Sequence, residues 1–241
     1  HGHHRARHTP GGNELHRRIT WRATGCGMHS TIDPQDITGL VLAGGQGSRM
    51  GGIDKGLEPF HGIPLALHAL RRLQPQLGSM LVNANRHLDI YQTFGAPVCP
   101  DALADFSGPL AGFLAGMEHC NTPWLLTVPC DTPLFPPDLT QRLAEAASIH
   151  GADMAMATAP DRSNSLPSTA RLQPVFCLLN MRLKDSLAHF IASGGRKVGA
   201  WAALHACVRV PFDRASDAPE AFSNANTLEE LRQLEITAWR R

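Results

Sequence analysis

The amino-acid sequence predicts an α/β protein: a single domain of three layers, with a mostly parallel, twisted sheet covered by helices on both faces. Three observations support this. Short apolar runs alternate along the chain with segments of helical periodicity. The first apolar run breaks directly into a glycine-rich loop. A length of 241 residues with 43% hydrophobic content suits one domain with one substantial core.

The first half of the domain is expected to contain three strands and two helices. An apolar run at residues 40–42, bounded by glycines, predicts the first strand. Residues 64–73 have helical spacing and begin with a proline, which suits a first helical turn. Residues 80–83 and 97–99 predict the next two strands, and residues 112–119 predict a short helix.

The second half continues the alternation. Residues 124–128 predict a strand buried on both faces, followed by a helix at 138–147 and a strand at 154–157. A further strand is expected at 175–179 and a helix at 183–191. The polar residues 161–169 predict a loop that could gate a partner or a second substrate. A closing helix is expected at 226–234, with Asn226 or Thr227 as its N-cap.

We assign the single folded domain to residues 36–241 and interpret residues 1–35 as a disordered or non-native N-terminal extension. Residues 1–27 contain five arginines against one acidic residue and show no apolar periodicity. Because the whole chain has a formal net charge of +1, the rest is slightly acidic and has no basic stripe for nucleic acid. The sequence contains no apolar run of about eighteen residues, so it predicts no membrane-spanning helix. The six scattered cysteines form no Cys-x-x-Cys pair, which favours the cytoplasm.

The glycine-rich loop after the first strand predicts a nucleotide triphosphate site. It starts at Gly44 and Gly45, contains Arg49, and is followed by more glycines and Lys55. Glycines let backbone N–H groups approach a polyphosphate and form an anion-binding nest. Arg49 and Lys55 can neutralise charge that backbone dipoles alone cannot. An ordinary strand-to-helix turn accounts for the glycines but not for these two cations.

Two better-known glycine loops are excluded by single positions. Met50 stands where the third glycine of a dinucleotide-binding fingerprint belongs. A Walker A loop ends in Gly-Lys-Ser/Thr, whereas Ile53 and Asp54 follow Gly52 here. The loop therefore belongs to a different class of nucleotide site.

Polar side chains follow the ends of the predicted strands, the edge where open α/β sheets bind ligands. Asp131 follows the strand at 124–128 and could hold Mg²⁺ against triphosphate oxygens, although an Asp-initiated turn is the alternative. Asp101 lies just beyond the strand predicted at 97–99, and Asn83 ends the strand predicted at 80–83. Each could contact a nucleotide or only satisfy local backbone groups. Cys130, directly before Asp131, is a candidate for oxidative sensitivity.

Seven segments carry a resemblance to a known family. The first is Leu-Ala-Gly-Gly-Gln-Gly-Ser-Arg-Met-Gly-Gly-Ile-Asp-Lys at 42–55. The others are Val-Asn-Ala-Asn (82–85), Pro-Asp (100–101), Phe-Ser-Gly-Pro-Leu-Ala-Gly (106–112), Val-Pro-Cys-Asp-Thr-Pro (128–133), Gln-Pro-Val-Phe (173–176) and Phe-Ser-Asn-Ala-Asn-Thr (222–227). In this order they resemble the nucleotidyltransferases that share a Rossmann-like domain and, more narrowly, the molybdenum cofactor guanylyltransferase family. The resemblance covers roughly residues 37–234.

The resemblance implies roles for particular residues. The implied nucleotide-binding residues are Leu42, Ala43, Gly44, Gly45, Lys55, Asn83, Asp101, Gly108 and Asp131. Mg²⁺ would bind at Asp131, and the catalytic residues would be Lys55, Arg49 and Asp131. Asn224 and Asn226 would face the active site beside the metal or the second substrate, whereas on the residues alone a role in capping the last helix is favoured.

The resemblance also implies a reaction. GMP would pass from GTP to the terminal phosphate of molybdopterin (Mo-molybdopterin), giving the guanine dinucleotide form of the molybdenum cofactor and pyrophosphate. The acceptor phosphate is ionised at neutral pH, so no general base is expected, and positioning with charge neutralisation supplies the acceleration. Partners could include molybdoenzymes or other cofactor-biosynthesis proteins in transient contact. The alternatives are a molybdenum cofactor cytidylyltransferase using CTP, a sugar-phosphate nucleotidyltransferase, and a non-catalytic GTP-binding cofactor-delivery protein.

Overall fold

The computed structural model describes residues 31–44, 53–102, 108–161 and 170–239, and every structural statement below concerns these residues. The strands are β1 (Ile37–Leu42), β2 (Pro59–Phe60), β3 (Ile63–Pro64), β4 (Ser79–Asn83), β5 (Val98–Cys99), β6 (Trp124–Pro129), β7 (Met154–Pro160), β8 (Ala170–Asn180) and β9 (Cys207–Pro211). The helices are α1 (Leu65–Leu73), α2 (Leu88–Gln92), α3 (Pro109–His119), α4 (Leu139–His150), α5 (Lys184–Ala192), α6 (Val198–Ala202) and α7 (Leu228–Trp239).

Seven strands form one sheet in the order β5-β4-β1-β6-β8-β7-β9, and β2 with β3 forms a separate hairpin. β1 pairs in parallel with β4 and β6, β4 with β5, and β7 with β9. β8 runs antiparallel to both β6 and β7. The prediction of a mostly parallel sheet is confirmed, and the carboxyl ends of β1, β4, β5 and β6 lie at one edge.

Helices cover both faces of the sheet, as predicted. Because successive strand residues point to opposite faces, Leu40 packs in a core cluster with α3, α5 and α6, whereas Val41 packs in a cluster with α1 and α4. The result is three layers: helices, sheet and helices. Within the part of the chain that the structure describes, no helix is both long and apolar enough to cross a membrane.

Local sequence sets the starts of two helices that border the site. Gly108 has a φ of +134°, which favours glycine, and Pro109 occupies the first turn of α3. α7 begins with a capping box, in which Thr227 Oγ1 accepts from the Glu230 N–H at 3.1 Å. The Glu230 carboxylate accepts in return from the N–H groups of Asn226 (2.6 Å) and Thr227 (3.2 Å). Thr227, rather than Asn226, is therefore the N-cap.

Several short elements differ from the prediction. α2 and α6 were not predicted because each spans five residues, too few to show a helical period. The hairpin of β2 and β3 and the edge strand β9 were also missed; β9 is largely half-buried or exposed and lacks a continuous apolar run. β8 spans eleven residues where five were predicted. α3 begins at Pro109 rather than at residue 112.

The domain boundary at residue 36 stays a prediction. Residues 1–30 lie outside the described residues. The chain before β1 runs along α4, where the Ile32 N–H donates to Ser148 Oγ at 3.1 Å. A short 3-10 helix, Pro34–Asp36, then leads into β1.

Candidate active site

The strand order brings the predicted polar residues to one edge of the sheet. β1 ends at Leu42, β4 ends at Asn83, and Asp131 follows the end of β6 by two residues. Backbone hydrogen bonds hold these strand ends together: the Ala43 N–H donates to Asn83 O (2.8 Å) and the Cys130 N–H donates to Leu42 O (3.1 Å). The candidate site therefore lies where open α/β sheets bind ligands.

Lys55 is oriented by a buried carboxylate. It begins a 3-10 helix that Asp54 caps by accepting from the Gly56 N–H at 3.2 Å. The Tyr91 hydroxyl donates to the same Asp54 oxygen at 2.7 Å. Burial, together with this hydrogen bond, raises the pKa of Tyr91 far above its usual value, so the hydroxyl keeps the proton that it donates. Because Asp54 is 8% exposed, the start of the helix is firmly held.

The Lys55 ammonium group meets residues from two distant parts of the chain. Its Nζ lies 3.2 Å from Asp131 Oδ2 and donates to Asn226 Oδ1 at 3.0 Å. The Asp131 backbone oxygen also accepts from the Ala225 N–H at 2.8 Å, which ties the two loops together. The side chains of Lys55 and Asp131 are 22% and 21% exposed, so a ligand can reach both. We call Lys55, Asp131 and Asn226 the lysine junction.

Asn224 and Asn226 lie beside Asp131, and in the described part of the chain neither side chain caps α7. Asn224 Oδ1 accepts from Thr132 Oγ1 at 2.7 Å. Asn226 Oδ1 accepts from Lys55, and Thr227 provides the cap. The helix-capping interpretation of these two side chains is therefore wrong, while their contact with a metal or second substrate stays a prediction.

Asp101 is held by two asparagine amides. Asn83 Nδ2 donates to Asp101 Oδ1 (2.8 Å) and to Cys99 O (3.0 Å). Asn85 Nδ2 donates to Asp101 Oδ2 (2.8 Å) and to Gly44 O (3.3 Å), and Asn85 Oδ1 accepts from the Asp101 N–H (2.7 Å). We call Asn83, Asn85 and Asp101 the asparagine–aspartate cluster. It links the start of the glycine loop to the end of β5.

Two glycines permit close approach around Asn83. A Cβ on Gly44 would lie 2.9 Å from Asn83 Oδ1, and a Cβ on Gly112 would lie 2.6 Å from the same oxygen. Both distances are shorter than van der Waals contact, so a side chain at either position would displace the side-chain amide of Asn83. Gly108 precedes the same helix as Gly112, and its contact with a nucleotide stays a prediction.

A cleft of about 740 Å³ adjoins the lysine junction. Asp131, Asn224 and Asn226 line one part of it. β8 and the segment after β9 supply further lining residues, among them Arg171, Gln173 and Arg214. The cleft is therefore lined both by Asp131, the candidate metal ligand, and by the cationic side chains of Arg171 and Arg214.

Arg142 of α4 anchors the wall of this cleft. Its Nη1 lies 2.7 Å from Asp217 Oδ1, and its Nη2 donates to Pro211 O at 2.5 Å. Its guanidinium carbon lies 3.8 Å from the centroid of the Phe212 ring. Arg142 is 6% exposed, so these contacts fix the wall from inside the protein.

Some predicted features cannot be placed, and the metal prediction depends on a single carboxylate. Gly45 and Arg49 lie outside the described residues, as does most of the predicted loop at 161–169. Among the residues that are described, no group of three His, Cys, Asp or Glu side chains is arranged to hold a metal ion. Asp131 nevertheless fits Mg²⁺, which takes one or two carboxylates and fills its other positions with phosphate and water oxygens.

Cys130 does not have the character expected from its position. Its side chain is 6% exposed and belongs to the core cluster with α1 and α4. Burial raises the pKa of the Cys130 thiol far above its usual value, and the nearby Asp131 and Asp54 raise it further. Because the thiolate is the reactive form, the burial of Cys130 argues against the expected oxidative sensitivity.

Four residues that shape the site were not predicted from the sequence: Asn85, Asp54, Tyr91 and Thr132. Asn85 carried a usable signal, because it stands two residues after Asn83 and alternate residues of an extended chain face the same side. Tyr91 carried none, since its contact with Asp54 joins residues 37 positions apart in a way that no local pattern indicates.

Comparison with known proteins gives a consistent result for most of the chain. A family model described as "MobA-like NTP transferase domain" matches residues 39–209. A molybdenum cofactor guanylyltransferase from Acidovorax sp. (strain JS42) is 63% identical over 206 residues, which is 85% of this chain and 97% of that protein. A protein of the same name from Bordetella pertussis is 55% identical over 204 residues, covering 85% and 99%.

Solved structures share the fold. A molybdopterin-guanine dinucleotide biosynthesis protein A from Archaeoglobus fulgidus matches with a TM-score of 0.68 at 20% identity, covering 85% of this chain and 100% of that one. A 4-diphosphocytidyl-2C-methyl-D-erythritolsynthase from Anaerococcus prevotii matches with a TM-score of 0.66 at 10% identity, covering 86% and 100%. At these identities the likeness concerns the fold, and it confirms the predicted three-layer α/β architecture.

Proposed function

Since the chain belongs to the molybdenum cofactor guanylyltransferase family and contains its MobA-like NTP transferase domain, we propose that it transfers GMP from GTP to the terminal phosphate of molybdopterin (Mo-molybdopterin). The products are the guanine dinucleotide form of the cofactor and pyrophosphate. The observation that carries the proposal is the lysine junction, where a cation and a carboxylate from different parts of the chain meet beside a cleft.

Lys55 and Arg49 hold the triphosphate in this proposal. The Lys55 ammonium group lies at the carboxyl edge of the sheet and can exchange Asp131 for phosphate oxygens, which frees the carboxylate. Nucleotidyltransferases of this family generally use a divalent metal, and we assign Mg²⁺ to Asp131. When bound, the ion would offset negative charge that develops on the phosphates.

The asparagine–aspartate cluster supports GTP over CTP. Both oxygens of Asp101 accept from asparagine amides, and a carboxylate has about four lone-pair positions, so each oxygen can accept once more. Guanine presents two adjacent donors, its N1–H and its 2-amino group. Cytosine presents the acceptor N3 next to its amino group, and the lone pair of N3 would repel a carboxylate oxygen of Asp101.

The cleft beside Asp131 suits the second substrate. Its volume of about 740 Å³ falls within the usual range for small-molecule sites. Arg171 and Arg214 can attract an anionic pterin phosphate, and Asn224 and Asn226 can orient it near Asp131. The phosphate is already ionised, so the protein accelerates in-line attack on the α-phosphorus by positioning and charge neutralisation rather than by proton transfer.

The cellular setting is also part of the proposal. We assign the protein to the cytoplasm, where thiols stay reduced; in support, the five cysteines in the described residues are all free. Transient contact with molybdoenzymes or other cofactor-biosynthesis proteins stays a prediction.

Isothermal titration with GTP, CTP, ATP and UTP, each with Mg²⁺, tests the proposal. GTP should bind most tightly, and Asp131→Ala should weaken GTP binding about tenfold or more because it removes the metal ligand. Asp185→Ala, at an exposed position on α5, is the matched control and should bind GTP normally. Pyrophosphate release should then require molybdopterin.

Three results would redirect the assignment. Tighter binding of CTP would indicate the cytidylyltransferase activity. GTP binding without pyrophosphate release in the presence of molybdopterin would indicate a delivery protein. Pyrophosphate release with a sugar phosphate instead of molybdopterin would indicate a sugar-phosphate nucleotidyltransferase.

A further inference from the structure

Asn85, just beyond the end of β4, is exposed yet makes three hydrogen bonds through its amide group. We propose that Asn85 is a positioning residue that sets the guanine selectivity of the site by fixing the orientation of the Asp101 carboxylate. This inference rests on the proposed function, because it concerns how the base of GTP is chosen.

The amide of Asn85 is already committed to the protein. Its Nδ2 donates to Gly44 O at 3.3 Å and to Asp101 Oδ2 at 2.8 Å, and its Oδ1 accepts from the Asp101 N–H at 2.7 Å. An asparagine side chain has two N–H donors, so both are in use. Asn85 therefore acts on a base through Asp101 rather than by donating to the base itself.

Asn83 and Asn85 donate to different oxygens of Asp101. The two side chains also differ in how deeply they are buried. Asn83 is 3% exposed and also donates to Cys99 O, so its contact with Oδ1 is built into the core. Asn85 holds Oδ2 from the exposed side. With both amides in place, the carboxylate cannot rotate about its Cβ–Cγ bond. Without Asn85, Oδ2 loses its side-chain donor.

Recognition of guanine requires both carboxylate oxygens of Asp101 to be held in fixed positions. Its N1–H and its 2-amino group lie side by side on one edge, and the two oxygens of one carboxylate can accept from both. On the corresponding edges of adenine, cytosine and uracil, a donor stands next to an acceptor. Selectivity therefore depends on the second contact, from the 2-amino group, and that contact requires a fixed Oδ2.

The test compares GTP with ITP, which keeps the N1–H of guanine but lacks the 2-amino group. Wild-type protein should bind GTP about tenfold or more tightly than ITP, because a hydrogen bond to a charged group is lost with ITP. Asn85→Ala should reduce this preference to about threefold or less, mainly by weakening GTP binding. Asn180→Ala is the matched control, because Asn180 makes a comparable local bond to the Arg182 N–H at 3.0 Å away from the site.

Asn85→Leu separates positioning from packing. Leucine has nearly the same shape and no charge, but it can neither donate to Asp101 Oδ2 nor accept from the Asp101 N–H. It should lose the preference for GTP as fully as Asn85→Ala does. A role in packing alone would leave it like wild type.

Two results would overturn the inference: wild-type protein that binds GTP and ITP equally, or an Asn85→Ala variant that keeps the wild-type ratio. The proposed function is judged separately, by pyrophosphate release from wild-type protein with GTP and molybdopterin. That activity can be present while the inference about Asn85 fails, so the two failures are distinguishable.

Discussion

Lys55 has one charged partner and one neutral partner in the protein. Asp131 offsets its charge at 3.2 Å, and the Asn226 amide oxygen accepts from it at 3.0 Å. Both charged side chains keep about one-fifth of their surface exposed (22% and 21%), so solvent screens the ion pair only in part and its contribution to stability is modest. Its loss should therefore affect activity far more than folding.

Lys55→Ala is expected to lower kcat/KM for pyrophosphate release by about 10²–10³-fold, because charge on the triphosphate is no longer neutralised. The free energy of unfolding should fall by no more than about 1–2 kcal/mol, because Asp131 and Asn226 lose one donor but stay within reach of water. Steady-state kinetics and urea unfolding measure the two effects. Lys184→Ala, at an exposed position on α5, serves as the control. Near-wild-type turnover in Lys55→Ala would defeat the role assigned to this lysine.

At the level of elements, α3 lies against the sheet through glycines. A Cβ at Gly112 would come 2.6 Å from both Asn83 Oδ1 and Leu42 Cδ2. Leu42 could rotate away, but Asn83 is tied to Cys99 O and Asp101 and has no free rotation to offer. The glycine therefore couples helix position to the asparagine–aspartate cluster.

Gly112→Ala is expected to destabilise the protein by about 1–3 kcal/mol through overpacking, even though alanine is the better helix former. GTP binding should weaken with it, because Asn83 and then Asp101 must shift. Gly199→Ala in α6 is the matched control: its Cβ would meet nothing nearer than 3.9 Å, so stability should hold or rise. Thermal unfolding and titration with GTP measure both effects. Equal stability of the two variants would show that α3 can move outward freely.

The elements that could be predicted are those whose burial leaves a pattern in the sequence. β1 and β6 are buried on both faces and appear as apolar runs, so their place beside the glycine loop and Asp131 could be predicted. The direction of β8 could not, because an antiparallel strand in this sheet has the same apolar run as a parallel one. Likewise, Lys55 and Asp131 were predicted, whereas Asn85 was missed because its role depends on contacts with Gly44 and Asp101.

At the scale of the whole molecule, the cleft wall depends on one buried cation. Arg142 binds Asp217 at 2.7 Å, and Asp217 Oδ2 accepts from the Arg214 N–H at 2.9 Å. Burial raises the pKa of Asp217, but the hydrogen bonds from Arg142 and from the Arg214 backbone outweigh burial, and the pKa lies below its usual value. The pair therefore connects α4 to the residues that line the cleft beside Asp131.

Asp217→Asn is expected to lower the free energy of unfolding at pH 7 by about 1–3 kcal/mol, because Arg142 loses the closer of its two charged partners and keeps only Asp138, at 3.6 Å. The folded pKa of Asp217 is lower than the unfolded one, so its stabilisation is complete above about pH 4 and is lost as the pH falls through the folded pKa. The difference between wild type and variant should therefore shrink towards pH 3. Urea unfolding across this range, with Asp36→Asn at an exposed position as control, measures it. A gap that stays constant with pH would contradict the pairing.

The lysine junction joins residues that are made at very different times. Lys55 and Asp131 are 76 positions apart, and Lys55 and Asn226 are 171 positions apart. α7, which follows Asn226, packs through Leu231 and Leu234 on Phe60 in the early hairpin. A chain still emerging from the ribosome can thus pair its first strands but cannot yet complete the junction. The junction is complete only after the segment that contains Asn226 has been made, so a shorter nascent chain has little means of capturing its ligands.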